Sequence, residues 1–262
     1  MEDPVVFQKV HELVFHLIGL GNVTGLRVDH PDGLYDPSEY FQRLQRECFY
    51  RLQLAHRQKR PVRKSNTPIK ANSRIEILRQ HEERIASDPG FKPFYVIAEK
   101  ILLKDEKLPE DWPVFSTVGY DFLNPLNGIF VDKANGQVFD EIYEGFVRSR
   151  MNYQNLVYEK KRLIMIASMA GEINTLAHHL NRLSEKNRHT RDFTLNGLRT
   201  AITEAIACFP VYRTYVTPAG VQDKDRRYVE ETISIAKRQN PALSERLFDF
   251  LTNVLVLNYP DD

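Results

Sequence analysis

Residues 25–33 read Gly25-Leu26-Arg27-Val28-Asp29-His30-Pro31-Asp32-Gly33. Together with Val23 and Thr24 the first part is a short β-prone run, and the second is a loop built from turn formers. Arg27 and Asp29 stand two apart at the strand end, so both side chains point the same way. A guanidinium beside a carboxylate favours its ionised form. An ionised, oriented Asp can act as a nucleophile, yet an Asp in an Asp/Pro/Gly loop also serves as a turn or cap residue, and local chemistry leaves both readings open.

Upstream, Asp3 as N-cap and Pro4 as first helical residue precede a stripe of Val6, Val10, Leu13, Val14, Leu17 and Ile18, closed by Gly19 and Gly21. These signals predict a helix ahead of the strand. Downstream, 38–57 and 73–87 have helical patterning, separated by a basic, proline-interrupted stretch. Phe94-Tyr95-Val96-Ile97-Ala98 is a continuous apolar run bounded by Pro93 and by Glu99-Lys100, the pattern of a strand covered on both faces in a parallel sheet. Glu99 is a lone acid directly after that run, a setting that favours the protonated form a general acid needs. The alternative is a solvated strand-end acid paired with Lys100 or Lys104. Two carboxylates in contrasting settings suit glycoside chemistry.

After Asp111-Trp112-Pro113 the chain reads as mostly helical, with helices expected near 121–131, 138–149, 153–170, 172–186, 194–208, 225–238 and 241–256. Thr194 is placed to cap one of them, and Asn240-Pro241 to start the last. The expected class is therefore α/β passing to mainly α, with residues 126–262 as a helical subdomain.

Composition narrows the function classes. The 262 residues are 42% apolar and 11% aromatic, enough for a buried core. Thirty-six Lys and Arg against thirty-five Asp and Glu leave a net charge of +1, which gives no overall field for nucleic acid or anionic membrane. A neutral, polyhydroxylated partner fits that balance. No run approaches the roughly 20 apolar residues of a membrane-spanning helix, and the acidic start does not read as a signal peptide. Cys48 and Cys208 lack metal or disulfide spacing and read as small buried hydrophobes in a protein of the cytoplasm. The pair His178-His179 lies on an amphipathic run where one imidazole is expected to pack and the other to face solvent, and adjacent helical residues diverge too far to chelate a metal together.

Gly25-Leu26-Arg27-Val28-Asp29 resembles the strand-four motif of the α-amylase superfamily, and its extension through His30-Pro31-Asp32-Gly33-Leu34-Tyr35-Asp36-Pro37 resembles the maltooligosyltrehalose synthase family. Tyr95-Val96-Ile97-Ala98-Glu99-Lys100-Ile101-Leu102 is similar to that family's strand-five segment. Leu108-Pro109-Glu110-Asp111-Trp112-Pro113, Thr117-Val118-Gly119-Tyr120-Asp121-Phe122-Leu123-Asn124, Glu172–Ala177 and Arg191–Leu195 continue the likeness. The resemblance implies a (β/α)8 barrel enzyme with a retaining mechanism. Such an enzyme would convert the reducing-end α-1,4 linkage of maltooligosaccharides into an α,α-1,1 linkage without metal or organic cofactor. On this chain the nucleophile would be Asp29, the general acid/base Glu99 and the residue orienting Asp29 would be Arg27. His30, Asp32, Tyr120 and Asp121 would touch the sugar. An amylase-like hydrolase or another transglycosylase shares the same two acids.

The sequence also departs from that family. No His-Asp dipeptide is present to carry the superfamily's third acid, and no Asn-His motif precedes the first strand. A barrel does not close from two or three of eight strands. The expectation is an internal piece of the enzyme, catalytically silent by itself and prone to self-association at open strand edges. Residues 1–125 would be the partial barrel, with 41–92 bulging outward as a helical insert. Arg57–Arg79 holds eight basic residues against Glu76. Without interleaved aromatics it reads as a solvated surface, with a non-catalytic helical interaction module using that surface as the alternative.

Overall fold

The computed structural model describes residues 1–59, 72–103, 106–150 and 152–258. The chain forms two compact units, Met1–Asp132 and Lys133–Asp262.

In the first unit, helix α1 (Pro4–Leu20) begins where Asp3 accepts the N–H groups of Val5 and Val6 and ends at Gly21, whose φ of 80° suits glycine. Strand β1 (Gly25–Val28) follows, then a 3-10 turn (Pro31–Gly33), α2 (Pro37–Lys59), α3 (Asn72–Ser87), β2 (Tyr95–Ala98), β3 (Ser116–Thr117) and α4 (Tyr120–Gly128). The three strands are parallel in the order β1-β2-β3, with Val28 opposite Ala98 and Ala98 opposite Thr117. The two-residue β3 was not foreseen, because a stretch that short carries no alternation to read.

The core of this unit joins Phe7, Phe15 and Ile18 of α1 to Phe41, Leu44 and Cys48 of α2 and to Val96 and Ala98 of β2. The first turns of α2 therefore lie inside the core and do not bulge. Gln45 is buried among them: its side-chain nitrogen donates to the carbonyls of Phe94 (2.9 Å) and Pro113 (2.8 Å), and its oxygen accepts from the Phe94 N–H (3.0 Å). Most of the basic stretch, 60–71, lies outside the described residues. Of the remainder, Arg57, Arg74 and Arg79 lie beside Glu76, Glu47 and Glu83.

The second unit is helical: α5 (Gly136–Val147), α6 (Tyr153–Ala167), α7 (Ala170–Ser184), α8 (Leu195–Cys208), α9 (Asp223–Gln239) and α10 (Glu245–Leu255). Helix α8, capped by Thr194 as expected, supplies Leu198, Ala201, Ile202 and Ala205 to a core shared with Ile173, Val229, Ile233 and Phe248. Two expectations change here. Helix α10 starts at Glu245, not at Pro241, because Asn240 terminates α9 and turns its side-chain amide onto buried Glu204 at 2.7 Å. His178 and His179 are both exposed, and His179 lies 3.0 Å from Arg182.

Candidate active site

Parallel pairing brings the ends of β1 and β2 to one edge of the sheet, the edge where α/β folds build their sites. The N–H of Glu99 donates to the carbonyl of Val28 at 2.8 Å, so Asp29 and Glu99 are the first residues beyond two paired strands. Asp29 is ion-paired to Arg27 at 2.8 Å, as their two-residue spacing requires, and both side chains are well exposed at 72% and 56%. Glu99 is half-buried and accepts the backbone N–H of His30 at 3.3 Å.

His30 adopts a left-handed backbone with φ 45°. Its ring lies against Gly33, where an added Cβ would come within 2.8 Å of the His30 Cδ2. Glycine at 33 is thus what lets the imidazole fold over the turn. Between them, Pro31 is buried and Asp32 turns its carboxylate onto the ammonium of Lys100.

Tyr120 and Asp121 start α4 directly after β3, whose neighbouring Val118 N–H donates to the Ala98 carbonyl at 3.0 Å. The residue that organises this turn is Thr117. Its hydroxyl donates to Asp121 at 2.6 Å and accepts from the N–H groups of Gly119 and Tyr120 at 3.1 and 2.9 Å. Asp121 therefore does not cap its helix. A threonine three residues before a helical tyrosine was the available cap signal. Arg27, Asp29, His30 and Glu99 stand at the ends of β1 and β2, Asp32 turns inward to Lys100, and Tyr120 and Asp121 follow the end of β3 at the same edge of the sheet.

No family model matches the sequence. Proteins of two Mycobacterium tuberculosis strains, CDC 1551 / Oshkosh and ATCC 25618 / H37Rv, provisionally described as maltooligosyl trehalose synthases, are each 27% identical over 182 residues, 70% of this chain and 17% of theirs. The solved structure of maltooligosyltrehalose synthase from Arthrobacter ramosus aligns with a TM-score of 0.65 at 26% identity, covering 97% of this chain and 26% of that one. Sequence and structure both match maltooligosyltrehalose synthases. A glycosyltrehalose synthase, DSM5389, shares the fold at 24% identity and a TM-score of 0.58. The chain thus spans 17% of the length of its curated synthase relatives and 26% of the Arthrobacter synthase. Among the described residues no helix is long and apolar enough to cross a membrane.

Proposed function

We propose that this chain is part of a maltooligosyltrehalose synthase and contributes two of its reacting groups, Asp29 and Glu99. The observation that carries the reading is the parallel rung from Glu99 to Val28, which sets the two carboxylates on adjacent strand ends of a fold matched to known synthases. A retaining reaction needs its carboxyl groups about 5–5.5 Å apart, flanking one anomeric carbon.

In the proposed reaction a maltooligosaccharide binds with its terminal glucose beyond the cleaved bond. Glu99 gives its proton to the glycosidic oxygen while an Asp29 oxygen attacks the anomeric carbon, leaving a glycosyl ester on Asp29 and a released glucose. The glucose stays in the site and reorients. Its anomeric hydroxyl attacks the same carbon, Glu99 takes the proton back, and Asp29 leaves with an α,α-1,1 linkage formed. Water is the competing nucleophile, so product identity depends on excluding it.

Arg27 holds Asp29, and in this reading His30 and Tyr120 meet sugar hydroxyls. Asp32 and Asp121 differ from the other expected sugar contacts, since their carboxylates are engaged by Lys100 and by the Thr117 hydroxyl. The third acid of the superfamily has no His-Asp counterpart in these 262 residues. The reading therefore expects the 262-residue chain alone to be inactive.

The test is product analysis of the full-length protein acting on maltopentaose. Reducing ends should disappear without stoichiometric glucose. Free glucose as the main small product would make it a hydrolase instead.

A further inference from the structure

Burial alternates along the end of β2: Val96, Ala98 and Lys100 are buried, whereas Tyr95 is exposed and Ile97 and Glu99 are half-buried. Lys100 therefore continues the core face of the strand, at 1% exposure, while Glu99 continues the other. An ammonium at such a position is costly unless carboxylates meet it. Two do: Asp32 Oδ2 lies 3.2 Å and Glu106 Oε1 2.9 Å from the Lys100 Nζ. Both acids are themselves largely buried.

The two acids come from different loops. Asp32 lies in the turn that follows Asp29 and His30, and Glu106 lies in the segment that follows Glu99, where its second oxygen accepts the Leu103 N–H at 3.3 Å. One buried cation thus ties the loop carrying Asp29 to the loop carrying Glu99. The 3.3 Å contact between the His30 N–H and the Glu99 carboxylate bridges the same two loops on the exposed side.

We propose that Lys100 is a positioning residue, holding the Asp29-His30 backbone at a fixed distance from Glu99 through Asp32 and Glu106. This rests on the reading of Asp29 and Glu99 as the reacting pair. Reacting groups displaced by about 1 Å lose on the order of 100-fold in rate, so a clamp one residue from the acid/base has kinetic weight.

The test compares Lys100→Met, Lys100→Arg and Glu99→Gln in the full-length protein, assayed with maltopentaose. Lys100→Met should lose on the order of 100-fold in kcat with KM held within about threefold, the split that separates positioning from binding. Lys100→Arg keeps the charge and should recover about tenfold of that loss, though its planar fork fits two separated carboxylates less well. A purely structural lysine would lower the melting temperature and leave the kcat of folded enzyme intact. Folded Lys100→Met with kcat within about threefold of the parent, beside an inactive Glu99→Gln, overturns the inference and leaves the reaction assignment standing. An active Glu99→Gln instead removes the assignment, and the inference with it. Should Lys100→Met fail to fold, Asp32→Asn and Glu106→Gln each cut one limb. A fall of about tenfold in kcat at constant KM in both supports the clamp, and no change in either overturns it.

Discussion

The backbone N–H of Glu99 donates to the carbonyl oxygen of Val28 across 2.8 Å, the rung that ends the pairing of β1 with β2. Everything proposed for Asp29 depends on that register, because a shift of one residue would send its side chain to the opposite face. Replacing Asp29 by Asn keeps the shape and removes the attacking charge. In the full-length protein turnover of maltopentaose should fall at least about 10³-fold with the melting temperature little changed. Retention of more than about a few per cent of turnover would remove Asp29 as nucleophile.

Gly33→Ala tests the packing of the same loop. The new Cβ would sit 2.8 Å from the His30 ring carbon, so either the imidazole or the turn must move. The expected cost is about 1–3 kcal/mol by urea denaturation, in the range of an overpacked site. An unchanged midpoint would show that the imidazole swings away freely.

Acid should destabilise the first unit through two imidazoles. Burial holds His11 and His81 below the ordinary value of 6.5, and for His81 the nearby Arg46 adds to the effect. His81 Nε2 is buried with no hydrogen-bond partner among the described residues, its ring packed against Phe49 and Phe91. A group whose folded value is depressed binds protons better when unfolded, so its contribution is fully present above pH 6.5 and is lost as pH falls through the lowered folded value. Thermal melts across the acid range should show this decline, and His81→Phe should flatten it. Identical pH dependence in parent and variant would assign the decline to other groups.

Glu204 is fully buried in the second unit, where Tyr158 and Asn240 donate to it and Arg162 lies 3.0 Å away. Burial, and then this carboxylate, push the Tyr158 hydroxyl above its ordinary value. Removing Arg162 leaves a buried charge without its cation. Because that arginine is partly exposed, water compensates in part. The cost of Arg162→Ala should therefore be about 2 kcal/mol, below the 3–5 of a wholly buried pair. Tyr158→Phe should cost about 1 kcal/mol. Urea denaturation followed by circular dichroism measures both, and a tyrosine variant costlier than the arginine one would reverse this ranking.

The parts legible in the sequence were those with local signals. Asp3-Pro4 and Gly21 fixed both ends of α1 through cap chemistry, and the apolar run before Glu99 marked a covered strand. The pairing of Arg27 with Asp29 followed from strand alternation. What escaped depends on contacts distant along the chain. Asn240 read as a helix start because nothing nearby in sequence announces Glu204. Lys100 entered only as an alternative partner of Glu99, beside Lys104, because a continuous apolar run does not announce which of its faces is the inner one. Its acids, Asp32 and Glu106, stand in separate loops that only the fold brings together.

Gln45 has a consequence for how this sequence can change over generations. Its amide holds the starts of both β2 and β3, so the position of Glu99 is set from within the early turns of α2 and not by the length of chain that intervenes before β2. A sequence that keeps this anchor can vary the chain between α2 and β2 while the starts of β2 and β3 stay tied to α2. Loss of the one glutamine would make every such change felt at the sheet.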